Sequence, residues 1–237
     1  MDAKMGVEME AKIDAEMGSN WRTKVKNFEG KVLDNLEGEV LKEEKAMRPH
    51  RTFDCPKHSS PLIAIYRNKG IMRLAANNQS LVLTIAGRTL GPNSSIEQKA
   101  ALGVFFGTDS PHNMSMRIPD GEANAHHGAE LYAATMALET IQGSALESGV
   151  KLIIIKVGSP YILTAMSKKC WELVPTGFHD FTQNGYYRHA PVIGTLHKIC
   201  TEFEAEGIEV KFWKIKTAAN WEAVNLAQVA LRASPRN

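Results

Sequence analysis

The chain has 237 residues, 43% hydrophobic and 23% charged, enough for one ordinary core plus an appendage or for two small domains. Its 28 basic residues against 26 acidic ones leave a formal net charge of +2, too balanced to mark a nucleic-acid binder by charge alone. No apolar run approaches the roughly 18 residues of a membrane span, no secretory signal opens the chain, and an odd set of three cysteines argues against a disulfide framework.

These exclusions point to an intracellular protein, cytoplasmic or nuclear, with no membrane partner. Through residue 50 there are eleven acidic and nine basic residues. Val25, Phe28, Val32, Leu36 and Val40 recur at three- and four-residue steps, which predicts an amphipathic helix over 21–45. Residues 1–50 therefore read as a charged helical arm that packs on its own domain or on a partner, a second copy of the chain included. The string RPHRTFDCPKHSSP carries three prolines and no period, so residues 51–79 read as linker or irregular edge structure. Cys55 and His58 there are half a zinc motif without a second half.

Alternating strands and helices follow. The pattern predicts strands over 81–87, 100–107 and 112–118, then a helix over 129–141 with Leu131, Ala134, Leu138 and Ile141 on one stripe. KLIIIKV (151–157) is apolar throughout, as at a sheet centre. A helix from Pro160 to Trp171 precedes the aromatic loop FHDFTQNGYY, and a helix over 190–206, a strand over 208–215 and a last helix, ANWEAVNLAQVALRA, complete the order. Three strands in a meander and then helix-connected strands predict a mixed α/β sheet with helices on both faces. Cys170 and Cys200 lie on apolar stretches and read as core residues.

Several strings in this order resemble the ribonuclease H family, in the type common among fungal RNase H-like proteins. AALGVFFGTDSPHNMS resembles its second and third strands, GAELYAATMAL its first helix, FTQNGYY the turn after its middle helices, and FWKIKTAANWEAVNLAQVAL its closing strand and helix. The resemblance covers about residues 80–232, leaving 233–237 as a tail. It implies an RNase H-like fold: a mixed five-stranded sheet, made of a three-strand antiparallel meander plus helix-connected parallel strands.

The family's chemistry needs two divalent metals to activate water and stabilise the leaving oxygen, and Mg²⁺ demands converging hard oxygen ligands. The resemblance implies four acids: at the end of the first strand, in the A-E-L string of the first helix, at a D-S corner after the fourth strand, and in the last helix. Here the first position is Ala86 in TIAG, the corner is Gly158-Ser159, and the last motif, NWEAVNLA, keeps Asn220 but has Val224 at the acid. Glu130 alone is retained. Glu222 sits about 200° around the helix from Val224, and Asp109 and Asp180 read as turn residues. The expectation is a degenerate, non-functional Mg²⁺ site with no cofactor.

His126 and Glu130 are four apart and His127 lies between them, so a metal or small-molecule role was open there, against which Gly128 favours a helix end. The loop that should grip nucleic acid is aromatic (Trp171, Phe178, Phe181, Tyr186, Tyr187) but carries only Lys168, Lys169 and Arg188 as cations. Phosphate affinity comes from positive charge, so weak nucleic-acid binding at most is expected. The sequence thus reads as a pseudo-nuclease acting as a module that binds a protein or RNA partner. The alternatives are different chemistry in the vacated cleft, around His126, His127, Glu130 and Ser159, and residual hydrolysis of RNA–DNA hybrids. Bulky apolar filling around Ala86, Gly158 and Val224 would favour the module, and an open pocket with converging polar groups would favour an enzyme of different chemistry.

Overall fold

Ile153, Ile154 and Ile155 are each shut off from solvent, and they mark the middle of the sheet in the computed structural model of the chain. Both faces of a central strand are covered, so an unbroken apolar run satisfies it, each isoleucine contributing about 1.5–3 kcal/mol by burial. The structure describes residues 48–53, 63–66, 70–90, 99–119, 126–147, 149–178 and 189–233. The chain separates into a unit of Met1–Pro49 and one of His50–Asn237. The helix expected over 21–45, along with Cys55, His58, Asp180, Phe181, Tyr186, Tyr187 and Arg188, lies outside the described residues.

Among the described residues the sheet has seven strands rather than five. They are β1 (Ile63–Tyr66), β2 (Ile71–Leu74), β3 (Asn77–Leu90), β4 (Lys99–Phe105), β5 (Met114–Ile118), β6 (Leu152–Val157) and β7 (Glu209–Lys214). The expected five form the path β5-β4-β3-β6-β7: an antiparallel meander, then β6 parallel to β3 and β7 parallel to β6. This is the RNase H-like architecture that the resemblance implies. The two additional strands come from the stretch expected to be linker or irregular edge. They form an antiparallel hairpin, and β2 pairs with the first half of β3. β3 is 14 residues long, so β2 and β4 occupy successive halves of one edge while β6 takes the other edge from Ser80 to Thr84.

The start of that stretch is also structured. Phe212 N–H donates to the Arg51 carbonyl (2.7 Å) and Phe53 N–H to the Phe212 carbonyl (3.0 Å), so residues 51–53 line the outer edge of β7.

Helix α1 (His126–Glu147) follows β5, and α2 begins over Pro160–Thr164. That second helix passes through a π turn at Ala165–Lys169, resumes at Cys170–Leu173 and ends in a 3-10 turn over Val174–Thr176. Helix α3 (Ala190–Ala205) leads to β7, and a 3-10 turn (Thr217–Asn220) opens onto α4 (Trp221–Arg232). Cys170 and Cys200 are buried and free, as core residues.

Strand alternation sorts the side chains. Leu81, Leu83 and Ile85 of β3, with Leu102, Val104, Ile153 and Ile155, face α1 and α3 in the main core. The opposite face is thinner. There Gly103 meets Ala223, Leu226 and Ala227 of α4, among buried Ala86, Ala101 and Ala230, and a Cβ at Gly103 would run into the Ala223 carbonyl and come within 2.7 Å of Ala227 N. Helix α4 is thus seated on the sheet at backbone distance.

At the far edge, Arg51 is 1% exposed. It forms a bidentate pair with Glu204 (2.8 Å to each oxygen), donates to His197 Nδ1 at 2.8 Å, and lies over the Trp171 ring. Burial and the adjacent guanidinium push His197 down to about 4, so the ring is neutral and accepts. Phe178 adopts φ 61° after Gly177 and lays its ring on Gly194 of α3. Trp171 and Phe178 therefore pack against the domain, as the aromatic loop suggested.

Candidate functional site

β6 stops at Val157 while β3 runs on past Thr84, and the gap beyond the end of β6 is a cleft of about 240 Å³. A strand end of this kind is where α/β folds collect ligand groups. Three backbone approaches frame it. Gly87 lets the start of α1 lie against β3, because a Cβ there would meet Glu130 N and Ala129, and this seats Glu130 at the cleft. The contact of Gly103 with α4 brings Val224 in from the other side. Asn220 reaches across and donates from Nδ2 to the Ile85 carbonyl at 2.9 Å, beyond the last residue of β3 that pairs with β6.

Ala86, Glu130, Gly158 and Val224, distant in sequence, all line this one cleft, together with Arg88, His127, Ser159 and Asn220. His126 opens α1 on the backbone, which begins three residues earlier than expected and so includes Gly128 in its first turn. Ser159 caps α2, its Oγ accepting from Tyr161 N–H at 3.1 Å, with Pro160 in the first-turn position proline tolerates best. Glu222 is not among the lining residues and its charge acts on Lys156 instead. Asp109 has φ 59° in the turn after β4, as a turn residue.

The electrostatics follow from burial. Glu130 is 4% exposed, and desolvation pushes its carboxyl up to about 7 against the opposing effects of the Ser159 hydroxyl, Arg88 and Lys214. His127 Nδ1 lies 3.8 Å from Glu130 Oε2, and burial lowers the imidazole pKa, which keeps it neutral at pH 7. The His127 ring stacks on Tyr161 (4.3 Å, 4° between planes), and the Tyr161 hydroxyl is 2.7 Å from His189 Nδ1. This wall fixes His127 from behind.

The fold implies a pair of Mg²⁺ ions, and the donors here do not fit them. Two hard cations need several carboxylates, some of them shared. The lining supplies one, backed by a hydroxyl and an amide, and adds the Arg88 guanidinium. Among the described residues, no group of three or more His, Cys, Asp or Glu side chains is placed to hold a metal ion. The cleft is not filled by bulky apolar groups either: Ala86 and Gly158 are small and Val224 is the one branched apolar residue, while the polar residues of the lining leave most of its surface apolar.

Sequence reasoning missed Arg88. The signal was available, since Arg88 stands two residues after Ala86 on a strand and so shares its face.

No protein-family model matches the sequence, and no curated protein does. Among solved structures the similar folds are consistently RNase H domains. RNase H1 from the halophilic archaeon Halobacterium salinarum NRC-1 gives a TM-score of 0.43 at 18% identity, over 64% of this chain and 97% of that one. LC9-RNase H1, a type 1 RNase H with the type 2 active-site motif, gives 0.49 at 14%, over 64% and 71%. The RNase H domain of prototype foamy virus gives 0.45 at 16%, over 63% and 92%. Identities this low bear on fold and not on activity.

Proposed function

We propose that this chain is a catalytically degenerate RNase H-like protein, a pseudo-nuclease that serves as a binding module for a protein or RNA partner. The observation that carries the reading is the lining of one cleft by Ala86, Gly158 and Val224 with a single acid, Glu130, itself pushed up to about 7. Two-metal hydrolysis needs several carboxylates, some of which bridge both ions, and this cleft offers one. Purified protein with Mg²⁺ or Mn²⁺ should leave an RNA–DNA hybrid intact. Steady cleavage that disappears in Glu130→Gln would overturn the reading.

A second reading, chemistry of another kind in the vacated cleft, draws support from the polar residues His127, Glu130 and Ser159 in its lining. Ser159 donates to Glu130, and His127 approaches the same carboxyl at 3.8 Å. It would show as metal-independent turnover lost in both Ser159→Ala and Glu130→Gln.

A further inference from the structure

Two residues that line this cleft each bury a polar atom with no hydrogen-bond partner among the described residues: Arg88 its Nε and Asn220 its Oδ1. Buried polar groups are nearly always paired, because an unmade bond forfeits the full cost of desolvation. The orientation of the Asn220 amide is fixed by its own chemistry, since Nδ2 is the atom that donates to the Ile85 carbonyl. The cleft therefore presents one cationic donor and one neutral acceptor. Arg88 and Lys214 both act on Glu130, two cations against one acid, and the Ser159 hydroxyl holds that acid.

A ligand that satisfies both atoms must carry an anionic oxygen for the guanidinium and a hydroxyl for the amide oxygen. Hydrogen phosphate carries both, and a phosphate monoester carries both as its monoanion, the minor form at pH 7. Sulfate and phosphodiesters only accept, so they leave Asn220 Oδ1 unmet. We infer that the cleft is a metal-independent site for inorganic phosphate or a phosphate monoester, with Arg88 taking the anionic oxygens and Asn220 Oδ1 the P–O–H proton. The inference rests on the reading that this cleft no longer takes a metal pair.

The test is isothermal titration calorimetry on the full chain in EDTA with inorganic phosphate, sulfate and dimethyl phosphate. Phosphate should saturate, bind at least about tenfold tighter than either control, and weaken about tenfold or more in Arg88→Gln, while Arg88→Lys recovers part of the loss. Should Arg88→Gln fail to fold, phosphate must still shift the Arg88 Nε–H resonance of the unmodified protein. Adenosine 5′-monophosphate and a short 5′-phosphorylated RNA then separate a small-molecule source from a nucleic-acid end. Equal affinity for sulfate, or binding indifferent to both Arg88 variants, overturns the inference. Absence of binding with and without Mg²⁺ overturns it alone, whereas binding only after Mg²⁺ is added overturns the pseudo-nuclease reading as well.

Discussion

Replacing Glu130 with Gln should stabilise this protein at alkaline pH and leave it unchanged in acid. The carboxyl is buried, 4% exposed, and titrates at about 7 in the fold against 4.5 in a solvated chain. At about 1.4 kcal/mol per tenfold change, keeping it ionised costs the folded state roughly 3 kcal/mol. Below pH 4.5 the group is protonated whether the chain is folded or not, and Gln is close to isosteric with it. Between 4.5 and 7 the folded protein retains a proton that the unfolded chain releases, so stability falls as pH rises; above 7 the full penalty applies.

For a chain of this size the difference is roughly 6–12 °C in melting temperature. The unmodified protein's own pH profile is not diagnostic. His197, held near 4 against an ordinary 6.5, contributes stability that is present above 6.5 and lost as pH falls toward 4, an opposite slope over nearly the same range. Both proteins share that contribution, so subtracting one thermal profile from the other removes it. If the two curves coincide from about pH 4.5 to about pH 8.5, or the variant is the less stable at the alkaline end, the account of Glu130 as an acid whose burial outweighs its partners is wrong.

Three other perturbations test separate parts of the structure. The triple change Ala86→Asp, Gly158→Asp, Val224→Asp should melt lower than the parent without metal, since crowded carboxylates raise one another's pKa. Mg²⁺ or Mn²⁺ at about a hundred times its Kd should return about 2.7 kcal/mol; an equal metal response in the parent would mean the four positions do not converge. Arg51→Met strands Glu204, whose side chain is 13% exposed, and should cost about 3–5 kcal/mol in urea unfolding, with part recovered in the double variant carrying Glu204→Met. A cost of under about 1 kcal/mol would show the pair to be an ordinary surface bridge. Gly103→Ala should cost about 1–3 kcal/mol and speed amide exchange in α4, because the new methyl displaces the helix; an unchanged melt would mean α4 is not seated at backbone distance.

Local patterns announced the parts of the fold whose stability is local. Ile153–Ile155 and the stripe Leu131, Ala134, Leu138 and Ile141 signal a central strand and a buried helix face by composition and period alone, and that is where they lie. The β1–β2 hairpin was hidden because its strands are four residues each and the prolines before them read as breakers, although β3, with which β2 pairs, follows directly. Arg51 was hidden for a similar reason. In a proline-rich stretch it reads as a solvated charge, and its partner Glu204 stands 153 residues away on α3. In the cleft, looking for acids found Ala86, Gly158 and Val224 but passed over Arg88, whose importance depends on what its neighbours have ceased to be. Beside Glu130 the described imidazole is that of His127, and the side chain of His126 lies outside the described ones.

The seating of α4 on Gly103 and the alanines opposite has a consequence for how such a site changes over time. The spacing between helix and sheet is set there by main-chain atoms, with Ala223 and Ala227 directly against the space that Gly103 leaves. The residues against Gly103 are Ala223, Leu226 and Ala227, none of them a position that the family fills with an acid. Shape and chemistry are therefore inherited separately. Ligands can be lost one at a time while the cleft keeps its dimensions, and a later set of side chains finds the same hollow ready to be used. For a protein engineer the cleft is a mould, and its lining residues, unlike the glycine and alanines that set it, are free variables.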